Sequence, residues 1–519
     1  MYSEQQVLHE KDIPSKATEP CIMVIFGATG DLTARKLMPA VYQLHREGML
    51  PSTFSCVAFA RRDKTDESFR EDMHKAVQEH ARIKPIDENA WNSFAQNLHY
   101  YKSDFDSDEG YDGLKKYLED IDAKQGTKGN RLFYLATQPS FFTTITSKLK
   151  QHNLVYDKDD ESKFSRVIIE KPFGRDLDSA LKLQQEISQH FSEEQIFRID
   201  HYLGKETVQN ILAFRFANSI YESLWNYKHI EKVVITAAES IGIGTRGKFF
   251  EEEGLMRDIV QNHVMQLLSL IAMEPPVSLS ASCIHDEKVK VLRAIRPMKD
   301  EDIDEHAVRG QYGQGYEKGE QMKAYREEEN VNPNSNVETF AAVRLFIDNW
   351  RWAGVPMYLR AGKRLAEKTT EVAIFFHEAP GVLFNKVKKK NAHPNVLTLR
   401  IQPDEGISFS FNCKVPGLEP RLQSVDMDFR YSSYFNATPP EAYERLILDG
   451  ILGDTTLFAR IDEVITSWKI LDPIITHWAN NPPIGFPNYA SGSWGPDAAD
   501  HMISYAPIVK CGIDGGPKK

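Results

Sequence analysis

Residues 21–32, CIMVIFGATGDL, decide the fold class of this chain. The first six residues form a continuous apolar run, which ends at Gly27 and Gly30 before apolar residues recur at helical spacing from Leu32 to Leu44. A short apolar run that ends in glycines and leads into a helical pattern is typical of a buried parallel strand followed by a helix. The sequence therefore predicts a first strand at 21–26 and an α/β domain around it.

Three further strand-like runs follow, at 54–60, 131–136 and 166–170, with helix-like segments between them. Strands that alternate with helices imply right-handed crossovers and a doubly wound parallel sheet. We therefore expect a polar N-terminal tail at 1–19 and a Rossmann-like domain at 20–200.

The pattern changes beyond residue 200. Long helical stretches at 207–216 and 255–273 precede strand-like runs that follow one another without intervening helices, at 339–347, 371–376 and 396–401. Successive strands favour antiparallel pairing, so 201–519 is predicted to be a larger α+β domain on a mostly antiparallel sheet. The charged, glycine-punctuated segment 298–336 is expected to be a solvated excursion.

The size and composition of the chain exclude several classes of protein. Its 519 residues exceed what one hydrophobic core usually supports, which agrees with two domains. With 41% hydrophobic and 26% charged residues, the chain is neither largely disordered nor a coiled coil. A net charge of −11 repels nucleic acid and anionic membranes, so we expect neither as a partner.

Cysteine usage and the N-terminus indicate a reduced, soluble, cytoplasmic protein. The five cysteines are scattered and no Cys/His group has metal-ligand spacing, so we expect no metal. The first residues lack the apolar segment of a secretory signal. The longest apolar stretch, 264–272, is too short to span a bilayer.

The turn after the first predicted strand is a candidate coenzyme site. Glycines there let the backbone approach a pyrophosphate, which the N–H groups of the following helical turn can bind. The candidate residues are Gly27, Ala28, Thr29, Gly30, Asp31 and Leu32. Because two residues separate the glycines, the pattern is not GxGxxG, and a tight turn in an unrelated fold is the alternative.

The end of the second strand distinguishes NAD from NADP. NAD sites place an acidic residue there for the ribose hydroxyl, whereas NADP sites place an arginine near the 2′-phosphate. Here the strand runs into Arg61 and Arg62, which favours NADP. Two solvated surface arginines are the alternative.

Lys171 and the segment 198–205, RIDHYLGK, are candidates for substrate binding. Lys171 follows a buried strand, and the carboxyl ends of parallel strands face the ligand crevice, so its amino group is expected to bind a substrate hydroxyl near the nicotinamide. His201, Tyr202 and Lys205 lie within five positions beside a predicted helix N-terminus, which is typical of a phosphate receptor. A solvated lysine and structural roles for the cluster are the alternatives.

His263 is the candidate general base. It lies on the buried side of a predicted helix, five residues after Asp258, which α-helical periodicity puts about 140° away. Asp200, which has no evident local role, is therefore the carboxylate predicted to orient the imidazole, and a satisfied core histidine is the alternative. A nucleotide crevice, a phosphate receptor and a His/Asp base together indicate hydride removal from a phosphorylated alcohol.

The sequence resembles the glucose-6-phosphate dehydrogenase family, in its bacterial form, along essentially its whole length. The resemblance lies in GATGDLTARKLMPA (27–40), EKPFGRDL (170–177), RIDHYLGKETVQN (198–210), RDIVQNHVMQ (257–266), VPMYLRAGKRL (355–365), LRIQPDEG (399–406) and YASGSWGP (489–496). It implies a Rossmann-like domain and a larger domain whose mostly antiparallel sheet pairs subunits into a homo-oligomer, either dimer or tetramer. It also implies oxidation of D-glucose 6-phosphate at C1 to 6-phospho-D-glucono-1,5-lactone with NADP, the first step of the oxidative pentose phosphate pathway.

The resemblance assigns roles to individual residues. It makes His263 the base that takes the C1 hydroxyl proton and Asp200 its partner, and it puts His201, Tyr202 and Lys205 mainly at the phosphate. The further substrate contacts that it implies are Lys171, Glu239, Asp258, Lys363, Lys368 and Gln402. The coenzyme contacts that it implies are Gly27, Ala28, Thr29, Gly30, Asp31, Leu32, Arg61, Arg62 and Lys171.

Some positions depart from the family pattern. Residues 136–139 read ATQP where the family has ALPP, and Phe142 stands where some members carry a coenzyme-contacting tyrosine. Members with a second, structural NADP carry extra basic residues at positions that here are Thr369, Ala373 and Trp494. We therefore predict no second NADP site.

Two other functions stay open on the sequence. An EKP motif at a strand end with a downstream Asp/His pair also resembles the Gfo/Idh/MocA dehydrogenases, which oxidise unphosphorylated sugars. The RIDHYLGK segment and the paired arginines argue against that family. The other alternative is a catalytically silent sugar-phosphate sensor on the same fold, against which the intact set of His263, Asp200 and Lys171 argues.

Overall fold

The computed structural model of the protein describes residues 16–317, 319–380, 383, 388–389, 393–435 and 439–503. Most of the predicted N-terminal tail at 1–19 lies outside the described residues. The chain divides into two compact units that do not follow chain order strictly. The first unit holds the described parts of Met1–Lys205, Pro276–Asp286 and Pro439–Ile465, and the second holds those of Glu206–Pro275, Glu287–Thr438 and Thr466–Lys519.

The strands of the described residues are, in chain order, β1 (Ile22–Phe26), β2 (Ser55–Ala60), β3 (Leu98–Lys102), β4 (Arg131–Leu135), β5 (Ser165–Ile169), β6 (Ile196–Ile199), β7 (Ile230–Ala238), β8 (Ala307–Gly310), β9 (Tyr312–Gly313), β10 (Gly315–Glu317), β11 (Glu320–Met322), β12 (Phe340–Phe346), β13 (Pro356–Gly362), β14 (Thr369–Phe376), β15 (Lys388–Lys389), β16 (Val396–Gln402), β17 (Gly406–Lys414), β18 (Arg421–Arg430), β19 (Phe458–Ala459) and β20 (Tyr489–Ala490).

The α-helices are α1 (Met38–Arg46), α2 (Asp66–His80), α3 (Glu88–Ala95), α4 (Asp108–Gln125), α5 (Phe142–Gln151), α6 (Leu177–Ile187), α7 (Glu206–Phe216), α8 (Ser219–Leu224), α9 (Gly247–Leu255), α10 (Met265–Ala272), α11 (Ala281–Arg293), α12 (Ile303–His306), α13 (Tyr431–Phe435), α14 (Ala442–Leu452), α15 (Ile461–Asn480) and α16 (Asp497–Ile503). Two π-helices span Thr33–Leu37 and Met256–Val264, and short 3₁₀ turns lie at Pro139–Phe141, Glu193–Gln195, Gly244–Arg246, Asp300–Asp302 and Tyr325–Glu327. Within the described ranges, no helix combines the length and the apolar character that a bilayer crossing requires.

In the described residues, a seven-stranded sheet organises the first unit in the order β19-β6-β5-β4-β1-β2-β3. β1 pairs in parallel with β2 on one side and β4 on the other, whereas β19 runs antiparallel to β6. All five residues of β1 are fully buried, as a continuous apolar run predicts for a strand covered on both faces. The predicted Rossmann-like, doubly wound parallel sheet is confirmed, and a ligand crevice is expected where the strand order reverses, between β1 and β4.

Helix α4 illustrates how the sequence covers this sheet. The Ser107 hydroxyl accepts a hydrogen bond from the Gly110 amide at 3.1 Å and caps the helix start. Gly126 ends the helix in the left-handed conformation, with φ of 75°. The apolar stripe between them begins at Tyr111, whose buried ring stacks on Phe26 of β1 at 6.2 Å.

The second unit is built on a nine-stranded sheet, counted over the described residues, in the order β15-β18-β17-β16-β14-β7-β13-β12-β8. Most neighbours pair antiparallel, which confirms the predicted α+β character. Two pairs are parallel: the two-residue β15 with β18, and β7 with β13. The β7–β13 pair lies near the middle of the sheet, so the carboxyl ends of two neighbouring long strands meet at one edge.

The prediction that 298–336 is a solvated excursion is wrong for much of the segment. It contributes β8, the edge strand beside β12, and the side chains of Tyr312 and Tyr325 are fully buried with ring centroids 5.7 Å apart. Their hydroxyls donate to Glu328 at 3.0 Å and to Glu251 at 2.5 Å. The small number of apolar residues in 298–336 led to the wrong prediction. Two buried tyrosines, each with its hydroxyl bonded to a carboxylate, are enough to pack this segment against the rest of the unit.

Glu371 is a buried acidic residue in the middle of this sheet. It lies in β14, and its Oε1 atom has no hydrogen-bond partner among the described residues. Burial raises the pKa of Glu371 to about 7, against the opposing charges of Arg400 and Arg360. A folded-state pKa above the unfolded value means that the group stabilises the fold when protonated. That stabilisation is complete below the unfolded pKa and is lost as the pH rises through about 7.

Glu371→Gln should therefore stabilise the protein above neutral pH. Glutamine keeps the shape of the side chain and stays uncharged at every pH. We expect Tm, measured by scanning calorimetry, to rise by about 3 °C at pH 8 and to change little at pH 5. Glu378→Gln, at an exposed position just beyond β14 in the same unit, is the matched control. An equal change in Tm at both pH values would contradict the argument.

Candidate active site

The glycine turn lies at the carboxyl end of β1. Gly27 has φ of +84°, and a Cβ atom there would lie 2.4 Å from the Ala136 carbonyl oxygen, so only glycine fits. Its amide donates to the Phe59 carbonyl at 3.0 Å, and the helical segment begins at Asp31. Ala28 is buried, whereas Gly30 and Asp31 are exposed. The predicted coenzyme turn, 27–32, therefore lies at the edge of the sheet where a ligand crevice is expected.

Arg61 and Arg62 follow β2 at the same edge, and both are exposed. The backbone is held there, because the Arg62 carbonyl accepts a hydrogen bond from the Tyr100 hydroxyl at 2.6 Å. Asp63, the acidic residue of this turn, pairs with Lys102 at 3.1 Å. Two exposed guanidinium groups and a carboxylate paired with a lysine thus follow the second strand, and the guanidinium pair is the feature expected for a phosphate site.

Lys171 lies two residues beyond β5 and is half-buried, at the same edge of the sheet as Gly27 and Arg61. Phe142, where some relatives have a tyrosine, is fully buried at the start of α5. Its ring therefore belongs to the hydrophobic core of the first unit.

The segment after β6 brings together the predicted phosphate-binding side chains. The Lys205 amino group lies 4.8 Å from the centre of the Tyr202 ring, and the His201 ring meets Tyr202 edge-on at 5.1 Å. The expectation that Asp200 has no local role is wrong, because its buried Oδ1 accepts the Tyr202 amide at 3.0 Å. Arg198 is structural, since it is buried in β6 and paired with Glu193 at 2.6 Å.

Asp258 and His263 lie together on the π-helix Met256–Val264, and both are buried. A π-helix makes i→i+5 hydrogen bonds, so residues five apart stand one turn from each other. The separation of about 140° expected for an α-helix does not apply here. The side chains of Asp258 and His263 therefore lie closer to the same face of the helix than α-helical periodicity predicts. Asp200 belongs to the first unit and His263 to the second.

Glu338 fixes the start of this π-helix. Its Oε1 accepts the Met256 amide at 3.1 Å, and its backbone carbonyl accepts the Leu255 amide at 3.2 Å. Gly254 has φ of +66°, and a Cβ atom there would lie 2.5 Å from the Glu338 carboxylate. Burial raises the pKa of Glu338, and the Met256 amide acts against that rise.

Lys363 is the centre of a charged cluster in the second unit. Its buried amino group lies 2.6 Å from Glu239 Oε2 and 3.8 Å from Asp258 Oδ2. Arg246, which the sequence analysis missed, lies 3.7 Å from Asp258 Oδ1. Glu239 follows β7 and Lys363 follows β13, so the parallel pairing of these strands brings the two residues side by side.

The two remaining predicted residues lie on neighbouring parts of the same sheet. Lys368 is exposed in the loop before β14. Gln402 ends β16, and its amide donates to the Thr370 hydroxyl at 3.1 Å. No local motif identifies Arg246, because it reaches Asp258 from a separate 3₁₀ turn.

The fold and these side chains define a class of protein. A Rossmann-type strand order, a tight glycine turn after the central strand and arginines after its neighbour are the features of a dinucleotide-binding unit. In the second unit, a buried histidine and a Lys/Asp/Glu cluster add groups that transfer protons and bind hydroxyls. The protein is therefore a dinucleotide-dependent oxidoreductase.

Comparison with known proteins identifies the family. The model of the glucose-6-phosphate dehydrogenase NAD binding domain matches residues 24–210, and that of the C-terminal domain matches residues 212–507. Glucose-6-phosphate 1-dehydrogenase of Chlamydia muridarum is 52% identical over 491 residues, 94% of this chain and 96% of that protein. Glucose-6-phosphate 1-dehydrogenase 2 of Mycobacterium tuberculosis is 46% identical over 495 residues, 95% of each.

Solved structures support the same family. A glucose-6-phosphate dehydrogenase in complex with its substrate glucose-6-phosphate has a TM-score of 0.86 and 39% identity, covering 95% of this chain and 99% of that chain. Glucose-6-phosphate 1-dehydrogenase from Mycobacterium avium has a TM-score of 0.79 and 35% identity, covering 94% and 97%. This chain belongs to the glucose-6-phosphate dehydrogenase family.

Gly254→Ala should impair catalysis by disturbing the π-helix. The new Cβ atom would meet the Glu338 carboxylate in a backbone conformation that alanine rarely adopts, so the start of the helix that carries His263 must shift. In a glucose-6-phosphate dehydrogenase assay we expect kcat to fall about 10- to 100-fold.

The control for this substitution is Gly354→Ala in the same unit. Gly354 also has a positive φ, of +82°, but a Cβ atom there meets nothing within 4 Å. This variant should lose some stability and keep its kcat. Equal losses of kcat in the two variants would show that backbone strain alone is responsible.

Proposed function

We propose that this protein oxidises D-glucose 6-phosphate at C1 to 6-phospho-D-glucono-1,5-lactone and passes the hydride to NADP, the first step of the oxidative pentose phosphate pathway. The observation that carries the proposal is the Lys363 cluster, in which one ammonium group lies between Glu239 and Asp258 in the unit that holds His263. Such alternating donors and acceptors suit the hydroxyl groups of a sugar. Family membership over nearly the whole chain supports the same reaction.

His263 is the proposed general base. Its imidazole takes the proton of the C1 hydroxyl while the C1–H bond breaks and its electron pair leaves as hydride. NADP, when bound, supplies the nicotinamide carbon that accepts this hydride. Asp200 stays the carboxylate predicted to hold the imidazole in the basic orientation.

The first unit offers residues that fit a dinucleotide phosphate. The turn at 27–32 has a glycine that leaves no room for a Cβ atom, and helical amides follow it, so its backbone can approach a pyrophosphate. Arg61 and Arg62 are the proposed contacts of the 2′-phosphate, which favours NADP over NAD. Lys171 is proposed to lie against both coenzyme and substrate.

The substrate is proposed to bind through its phosphate and its hydroxyls separately. His201, Tyr202 and Lys205 form the phosphate receptor, which their mutual contacts support. Lys171 binds a sugar hydroxyl near the nicotinamide. The other proposed contacts, from the second unit, are Glu239, Asp258, Lys363, Lys368 and Gln402.

The protein is proposed to work as a homo-oligomer, dimer or tetramer, in the cytoplasm, without nucleic-acid or membrane partners. Strand β18, which lies beside the two-residue edge strand β15, and helix α13 leave Val425, Met427, Tyr434 and Phe435 exposed. Exposed apolar residues at this end of the sheet support pairing of subunits there, as the resemblance implies.

The first experiment is the appearance of NADPH at 340 nm. We expect turnover with glucose 6-phosphate and NADP, and far less with free glucose or with NAD. His263→Asn should lower kcat about 10²- to 10⁴-fold while glucose 6-phosphate still binds, because a base acts mainly in the transition state. Turnover with free glucose and NAD would contradict the proposed substrate and coenzyme. Folded protein without any turnover would favour a sensor.

Replacing both Arg61 and Arg62 with alanine tests coenzyme choice. Loss of the charge-assisted bonds should raise the KM for NADP about 10²-fold, on the order of 3 kcal/mol. NAD, which lacks the 2′-phosphate, is the internal control and should be little affected. An equal rise in the KM for NAD would mean that the arginines are structural.

A further inference from the structure

Glu170 is a buried carboxylate whose role neither the fold nor the proposed reaction explains. It lies between the end of β5 and Lys171, and only 9% of its surface is exposed. Burial of a carboxylate is unfavourable unless several donors satisfy it. The sheet itself does not require a charge at this level. On the neighbouring strand β4, the residue that continues the register beside Glu170 is Ala136.

One hydrogen bond fastens this carboxylate directly, and two further donors act on it. The Tyr134 hydroxyl donates to Glu170 Oε1 at 2.6 Å, and the Tyr443 hydroxyl and the Lys171 backbone amide both act to lower the pKa of Glu170. Burial raises the pKa of the Glu170 carboxyl, and these donors, with the charge of Lys171, act against the rise. Burial also raises the pKa of both phenols, so Tyr134 and Tyr443 stay protonated donors.

The network continues to the predicted phosphate receptor. Tyr443 lies in α14, and its ring is nearly parallel to that of His201, with centroids 6.5 Å apart and planes inclined by 7°. Helix α14 lies close against the loop that carries His201, because a Cβ atom at Gly204 would be 2.7 Å from the Ala442 carbonyl oxygen. Within the first unit, Glu170 therefore connects the backbone of Lys171 with the surroundings of His201.

We propose that Glu170 is a positioning residue, whose carboxylate, fastened by the Tyr134 hydroxyl, holds the chain at the end of β5 so that the Lys171 amino group meets the substrate. This inference rests on the proposed function, in which Lys171 binds a sugar hydroxyl beside the nicotinamide. Glu170 itself touches neither ligand in this scheme. Its effect on the reaction should therefore pass through Lys171.

A double-mutant cycle with Glu170→Gln and Lys171→Ala tests this dependence. Glutamine keeps the size of the side chain but carries no charge, so it accepts the Tyr134 hydrogen bond more weakly than a carboxylate does. We expect Glu170→Gln alone to lower kcat/KM for glucose 6-phosphate about 10- to 30-fold, and to lower it less than about 3-fold when Lys171 is already alanine. The same loss factor in both backgrounds would overturn the proposal, because a general structural role does not depend on Lys171.

Two phenol substitutions and a control extend the cycle. Tyr134→Phe and Tyr443→Phe each remove one donor and should each lower kcat/KM about 3-fold. Tyr111→Phe is the matched control, because Tyr111 is a buried phenol of the same unit whose hydroxyl donates to the Phe105 carbonyl at 3.1 Å. It should leave kcat/KM unchanged. If Glu170→Gln does not fold, Tyr134→Phe replaces it in the cycle with Lys171→Ala, with the same criterion.

The cycle is also run on the Kd of glucose 6-phosphate, measured by titration calorimetry without coenzyme. If the wild-type protein turns over substrate but the Glu170 and Lys171 substitutions show no coupling in kcat/KM or in Kd, the role of Glu170 is rejected and the proposed function stands. Absence of wild-type turnover together with coupling in Kd would reject the proposed reaction and support Glu170.

Discussion

Parallel pairing of β7 with β13, inside a sheet whose other long strands pair antiparallel, is the constraint on which the site of the second unit depends. Parallel neighbours end at the same edge, so Glu239 after β7 and Lys363 after β13 leave the sheet side by side, 2.6 Å apart. An antiparallel pair would send these residues to opposite edges. The π-helix places Asp258 beside this pair, with its Oδ2 atom 3.8 Å from the Lys363 amino group.

The charges of this cluster also depend on one another. A buried ammonium group at Lys363 is tolerable because two carboxylates face it, and Asp258 is in turn flanked by Arg246. Removal of either carboxylate would leave an incompletely compensated charge in the interior. Glu170 follows a related rule in the first unit, where the Tyr134 hydroxyl donates to the buried carboxylate and the charge of Lys171 acts against the rise of its pKa.

The sequence predicted those parts of the structure that have a local signal. The strand at 21–26 was recognisable because an apolar run ended at glycines, and it is observed at Ile22–Phe26. The turn that follows β1, the arginines after β2 and the segment after β6 were found for the same reason: strand ends and motifs are contiguous in sequence. The π-helix could not be predicted, since an apolar stripe does not distinguish i→i+5 from i→i+4 hydrogen bonding.

What the sequence missed consists mainly of residues that hold other residues in place. Glu338 reaches the start of the π-helix from about 80 positions away, and Tyr443 reaches Glu170 across 273 positions, by subtraction of their residue numbers. No periodicity relates such pairs, because their proximity is a product of topology. A motif therefore identifies the groups that face a ligand, whereas the geometry of those groups is set by partners that only the folded chain brings near. For this protein, the rate of the proposed reaction should be as sensitive to Glu170, Gly254 and Glu338 as to several of the motif residues themselves.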